Sequence, residues 1–138
     1  MPRVTYYGDP MKHRSDPKIL NERTLERDHK RLNELLKAGM RVLDAGCGSG
    51  SITSGIAQRV GASGFVVGID RDASLLAQAI AAPNLRFEQT GICEYHAAEP
   101  FDIATAARVL QWISPPQPAL DNLRRVVRPG GVGCGARL

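Results

Sequence analysis

Aromatic residues make up only 5% of this 138-residue chain, with a single tryptophan among them. Stacking platforms interleaved with basic residues, which single-stranded nucleic acid requires, are therefore missing, and nucleic acid is not the expected partner. Cysteine is scarce as well. Cys47, Cys93 and Cys134 are odd in number and widely spaced, without the paired spacing of a zinc site or a redox dithiol. They are expected as reduced thiols, and no metal is expected. Long apolar runs are also lacking: the longest, Phe65-Val66-Val67 with Ile69 just beyond, falls far short of the roughly 20 residues of a membrane helix. The opening Met1-Pro2-Arg3-Val4-Thr5-Tyr6-Tyr7 has no apolar core like that of a signal peptide. A cytoplasmic chain without membrane attachment is the expectation.

The composition that remains, 43% apolar and 23% charged, is that of one globular domain, large enough to bury roughly 70% of its unfolded surface without staples. The net charge of +4 is unevenly placed. The first 41 residues carry ten Lys/Arg against six Asp/Glu, and the rest balance at eight against eight. Because the signs alternate through Glu22, Arg23, Glu26, Arg27 and Asp28, this excess reads as a solvated helix face rather than an anion-binding stripe.

Periodicity then orders the chain. Asp16-Pro17 looks like a cap and first helical position, and Leu25, Leu32, Leu35 and Leu36 share one face until Gly39. Residues 40–43 form a short apolar strand ending at Asp44, followed by the turn Gly46-Cys47-Gly48-Ser49-Gly50. Ile52, Ile56 and Val60 mark a helix that Gly61 stops. A second strand over 65–69 ends at Asp70, and Asp72 caps a helix carrying Leu75, Leu76, Ala79 and Ile80 until Pro83-Asn84. Strands over 85–88 and 101–107 follow, then a helix with Leu120, Leu123, Val126 and Val127, closed by Arg128-Pro129-Gly130-Gly131. Such alternation predicts an α/β fold with a mostly parallel sheet, right-handed crossovers and the strand order 3-2-1-4, with at most a ragged fifth strand. Residues 1–39 are expected as an arm and leading helix, and 40–138 as the domain proper.

In open parallel sheets, ligands bind beyond the carboxyl ends of the strands, where the order reverses. The glycine turn falls at that place, where glycine lets the backbone approach a ligand closely and the following helix offers unpaired N–H groups. Asp70, at the tip of the second strand and expected at a loop edge, is placed to accept both hydroxyls of a ribose, so a nucleoside is the expected ligand. Asp44 decides which one. A dinucleotide site prefers G-x-G-x-x-G after an apolar strand end, whereas here the pattern is G-x-G-x-G, with Ser51 in place of the last glycine and a carboxylate beside the turn. That carboxylate would repel a pyrophosphate but attract an ammonium group, such as the amino-acid end of S-adenosylmethionine.

The segment Val42-Leu43-Asp44-Ala45-Gly46-Cys47-Gly48-Ser49-Gly50 resembles the first motif of the class I S-adenosylmethionine-dependent methyltransferases. Val67-Gly68-Ile69-Asp70 is similar to their acidic loop. Phe101-Asp102-Ile103 with Val109-Leu110-Gln111-Trp112 resembles their fourth strand and its sequel, and Arg128-Pro129-Gly130-Gly131 the turn before their fifth. The nearest likeness is to the small-molecule enzymes that include the ubiquinone and menaquinone methyltransferases. The resemblance implies a Rossmann-like three-layer sandwich of order 3-2-1-4-5, here lacking the C-terminal strands of the complete fold, and S-adenosyl-L-methionine as cofactor. It places Asp44, Gly46, Cys47 and Gly48 around the methionine part, Asp70 at the ribose and Arg71 along the adenine. Ile92 and Cys93 match the loop at the adenine edge, and the carbonyl near Ala107 faces the amino group. Ile92 stands where the family often has an acid, and Arg71 replaces a common apolar residue, though its planar guanidinium can stack on a base.

Methyl transfer from a sulfonium is an in-line displacement that depends on alignment and desolvation, so no catalytic residue is named. His96 or His29 would be the base if an acceptor needed one. Tyr6 and Tyr7 are expected either as part of a lid or in plain packing. Ser114-Pro115-Pro116-Gln117 is similar to an N-P-P-Y signature of base and amide methylation, but lies too far beyond the fourth strand to serve as one. The sequence thus reads as a methyltransferase for a small-molecule acceptor. A non-catalytic cofactor-binding remnant or fragment is the second reading, and a nicotinamide-dependent oxidoreductase, which Asp44 and Ser51 count against, the third.

Overall fold

A computed structural model describes residues 4–6, 24–25, 29–106 and 109–135 of the chain. Its elements in chain order are β1 (Thr5–Tyr6), α1 (Lys30–Leu35), β2 (Arg41–Ala45), α2 (Ser51–Val60), β3 (Phe65–Asp70), α3 (Ala73–Leu76), β4 (Leu85–Gln89) and β5 (Phe101–Ala106). A 3₁₀ turn at Leu110–Trp112 leads into β6 (Ile113–Ser114), α4 (Gln117–Val126) and β7 (Val127–Gly135). Five strands form one parallel sheet in the order β4-β3-β2-β5-β7. Counted over the strands read from the sequence this is 3-2-1-4-5, the order expected, and the glycine turn leaves β2 where the order reverses.

Period-two alternation along the central strands explains why the sheet is covered on both sides. Leu43, Ala45, Val67, Ile69, Ala104 and Ala106 point one way and pack with Ala119, Leu123 and Val126 of α4. Val42, Val66 and Ile103 point the other way, against Ile56 and Val60 of α2 and Leu25, Leu32 and Leu36 of the N-terminal segment. Leucines of the leading segment therefore belong to the same core as the sheet. The proposed cap at Asp16-Pro17 lies outside the described residues.

The helix ends follow local chemistry. Gly61, at φ +70°, ends α2, and the amide of Asn84 donates to the carbonyls of Ala57 and Gly61, both at 2.9 Å. Asp72 caps α3 as expected, accepting from the N–H groups of Ser74 at 3.0 Å and Leu75 at 3.3 Å. That helix is shorter than its apolar spacing implies. Beyond Leu76 the backbone tightens into turns, with Gln78 and Ala79 donating to the carbonyls of Leu75 and Leu76, and reaches the Ala82–Leu85 bridge. Ile80, expected on the buried face, is 79% exposed. The expected turn over 128–131 is likewise absorbed into β7, as an irregularity between the pairings Phe101↔Val127 and Ile103↔Val132, with Gly130 at φ +81°.

Asp102 ties this edge together. It accepts the backbone N–H of Arg41 at 2.8 Å and the guanidinium Nε of Arg128, linking β5 to its neighbours on both sides. The N–H of Arg41 first, and then the Arg128 side chain, hold its carboxyl below the usual aspartate range. In the acid range the folded chain consequently binds fewer protons than the unfolded one, and stability rises with pH. The stabilisation is complete above the ordinary aspartate value and is lost as pH falls through the lowered one. Asp102→Asn is expected to flatten the acid limb of the thermal midpoint below about pH 4. An unchanged slope would mean that Asp102 contributes nothing to it.

Candidate functional site

The strand ends bring the two acids of the sequence reading to one edge. Val42, Asp44 and Thr53 lie on the α2 side of the sheet, and Asp44, 7% exposed, accepts the hydroxyl proton of the fully buried Thr53 at 2.7 Å. Thr53 escaped the sequence reading. Its signal was the spacing Thr53, Ile56, Val60, which puts it on the inner face of α2, one turn into the helix. Across the sheet Asp44 is in register with Thr105 of β5, whose hydroxyl lies 3.2 Å from Nε2 of His29. His29 thereby reaches the strand-end region, whereas His96 is exposed on the loop between β4 and β5.

The glycine turn is fixed by backbone bonds and by its own missing side chains. The N–H groups of Gly46 and Cys47 both donate to the carbonyl of Ile69, at 2.7 and 3.0 Å. Gly46, Gly48 and Gly50 take φ values of +76°, +58° and +84°, a region that other L-residues rarely enter. The turn is crowded from two sides. A Cβ on Gly46 would lie 2.0 Å from Cγ2 of Val109, and one on Gly50 would lie 2.7 Å from the ring of Phe87. At Gly48, in contrast, the nearest atom would be Cδ1 of Leu75 at 3.8 Å, so the backbone is open there. Cys47 turns its sulfur toward β3, where a Cβ on Gly68 would meet it at 3.0 Å.

Asp70 is not at a loop edge. It is 5% exposed, and each carboxylate oxygen accepts a backbone N–H, from Gly48 at 2.9 Å and from Asp72 at 2.8 Å. These bonds aim the carboxylate at the strand tip and lock the glycine turn to the end of β3.

Beyond Asp70 the chain builds a recess, in which the side chain of Tyr6 lies. Arg71 is exposed on one side, and the turn over 91–95 forms the other, with Glu94 and Tyr95 donating back to the carbonyl of Gly91. Ile92 points away from this recess into the core, 4% exposed, and its carbonyl accepts from the buried amide of Asn122 at 2.6 Å. Its side chain is therefore not offered to a ligand, and the backbone N–H of Cys93 is what faces the recess. Burial pushes the Cys93 thiol up from its ordinary value. Cys47 and Cys93 form no disulfide. Ala107 and Tyr7 lie outside the described residues.

The donor set fits S-adenosylmethionine. One carboxylate suits an ammonium, a second, aimed by two N–H groups, suits a diol, an open glycine backbone admits close contact, and a guanidinium beside a backbone N–H suits a planar base. Among the described residues there is no group of three His, Cys, Asp or Glu arranged for a metal ion, and no helix is long and apolar enough to cross a membrane.

The chain is similar to known proteins over most of its length. A family model described as a methyltransferase domain matches residues 36–136. A trans-aconitate 2-methyltransferase of Deinococcus radiodurans is 42% identical over 94 residues, covering 67% of this chain and 35% of that protein. A 2-phytyl-1,4-naphtoquinone methyltransferase of Nostoc punctiforme is 33% identical over 102 residues, covering 68% and 44%. Among solved structures, an arsenic(III) S-adenosylmethionine methyltransferase from Chlamydomonas reinhardtii superposes with a TM-score of 0.63 at 30% identity, over 68% of this chain and 37% of that one. A SAM-dependent methyltransferase from Aquifex aeolicus gives a TM-score of 0.61 at 26% identity, over 83% and 68%. The match thus spans between 35% and 44% of the length of these curated relatives.

Proposed function

The chain belongs to the class I S-adenosylmethionine-dependent methyltransferases, and from that membership we propose that it transfers a methyl group to a small-molecule acceptor. The observation that carries this reading is the pair of strand-end carboxylates, Asp44 and Asp70, flanking a glycine turn that is itself bonded to Asp70 through the Gly48 N–H. Bound S-adenosylmethionine supplies an electrophilic methyl group on a sulfonium. The chain's own part is to bind and to align. Asp44, held by Thr53, attracts the ammonium of the amino-acid end, with Gly46, Cys47 and Gly48 contributing backbone and Ala107 a carbonyl. Asp70 accepts the ribose hydroxyls. Arg71 stacks along the adenine, Cys93 meets its edge through the backbone, and Ile92 contributes only by shaping that turn. Wherever an acceptor must lose a proton, His29 is the better placed histidine, because Thr105 holds it beside the Asp44 strand end.

Organic acids and quinones are the acceptor classes to try first, since relatives act on trans-aconitate and on a phytyl-naphthoquinone by name. Nicotinamide chemistry falls with the family membership. Binding without turnover is the remaining alternative, favoured by the limited share of each relative that the match spans. Calorimetric titration with S-adenosylmethionine, followed by transfer of a labelled methyl group to trans-aconitate and to the demethylated naphthoquinone, separates these readings. Transfer to either acceptor supports the proposal. Tight binding with no transfer to any small acid or quinone favours binding alone, and absence of binding removes the cofactor role from this chain.

A further inference from the structure

The two-residue strand β1 pairs antiparallel with β6, through Thr5↔Ser114 and Tyr6↔Ile113. This ribbon sets the ring of Tyr6 into the recess between Arg71 and the 91–95 turn. The guanidinium carbon of Arg71 lies 3.8 Å from the ring centroid, a close cation–π contact. The hydroxyl donates to the carboxylate of Glu94 and accepts the backbone N–H of Cys93 at 3.3 Å. Gly91 gives it room, since a Cβ there would lie 2.6 Å from the Tyr6 oxygen. Burial and the Glu94 bond push the Tyr6 hydroxyl up, so it keeps its proton.

Tyr6 therefore presents to this recess a flat π face with an acceptor and a donor on one edge. Adenine carries the same three features, because its pairing edge sets an acceptor ring nitrogen next to a donor amino group. We infer that Tyr6 holds the place of the cofactor's base in the free chain, and that Glu94 is the residue that reads the base's amino group once Tyr6 has swung out. This rests on the cofactor reading above. Displacement follows from valence: a backbone N–H has one proton to donate, so the Cys93 group cannot serve Tyr6 and a base together. The tether is slight, with two residue pairs joining β1 to β6. The free chain is thus partly closed to its own cofactor, and its apparent affinity is lowered by the fraction of molecules in which Tyr6 is seated.

Calorimetry of the whole chain with S-adenosylhomocysteine and with its purine riboside analogue, which has hydrogen in place of the amino group and keeps the acceptor ring nitrogen, tests this. Tyr6→Ala is expected to bind S-adenosylhomocysteine about tenfold more tightly than the parent, with Tyr6→Phe, which keeps the ring and loses the hydroxyl, in between. In the Tyr6→Ala background, Glu94→Gln is expected to reduce a preference of about tenfold for the adenine compound to less than about threefold. Equal or weaker binding by Tyr6→Ala, with Tyr6→Phe folded and following it, overturns the inference and makes Tyr6 a wall of the site. A preference that survives Glu94→Gln removes the role of Glu94. If neither the parent nor Tyr6→Ala binds S-adenosylhomocysteine, the cofactor reading itself fails, and the inference with it.

Discussion

Replacing Asp70 by alanine is expected to weaken binding of S-adenosylmethionine by at least about tenfold, since each hydrogen bond to a charged group is worth roughly 1.5–3 kcal/mol and 1.4 kcal/mol is a factor of ten. The same change is expected to lower folding stability by about 1–3 kcal/mol, the cost of leaving part-buried donors unsatisfied. The donors are the N–H groups of Gly48 and Asp72, which the two carboxylate oxygens accept at 2.9 and 2.8 Å. Placed at a loop edge, as the sequence suggested, Asp70 would have affected affinity alone. Its burial makes it both a ligand candidate and the clasp of the glycine turn. Chemical denaturation gives the second effect, and titration at concentrations where the variant is fully folded gives the first. Stability lost with affinity unchanged would leave Asp70 a purely structural role and end its assignment to the ribose.

Gly46→Ala is expected to be the more damaging change, costing about 2–4 kcal/mol of stability from the left-handed backbone and the overpacking together. It is also expected to abolish measurable cofactor binding. Residue 46 sits at φ +76°, and an added Cβ would fall 2.0 Å from Cγ2 of Val109, in the segment that follows β5. Either Val109 or the turn must move, and the turn carries the Gly48 bond to Asp70. Gly61→Ala is the matched control. Its φ is +70° with ψ −173°, a region almost reserved for glycine, but a Cβ there would meet nothing within 4 Å, so only the backbone cost of about 1–3 kcal/mol is expected. Urea midpoints compared at equal slope isolate the difference. If the two variants lose the same stability, contact with Val109 is not what reserves position 46 for glycine.

The sequence by itself determined the order of the strands and put the glycine turn where that order reverses. Short β-rich apolar runs over 40–43, 65–69, 85–88 and 101–107, alternating with helices, leave few right-handed ways to form a parallel sheet. The glycines and acids announce themselves because a turn at a strand end admits few residue types. Periodicity carried the reading less well where a helix was short. Ile80 kept helical spacing with Leu76, yet the backbone had already turned to reach β4, because apolar spacing reports which residues could share a face and not where the hydrogen-bond ladder stops. The fate of side chains between elements was illegible for a similar reason. Nothing local to Asp70 says that its oxygens are met by N–H groups from Gly48 and Asp72, and nothing local to Ile92 says that it faces Asn122 rather than a ligand. Tyr6 and Glu94 are 88 positions apart, and His29 and Thr105 are 76. Contacts over such separations depend on how the ribbon and the leading segment close over the sheet, and only the tertiary structure decides that.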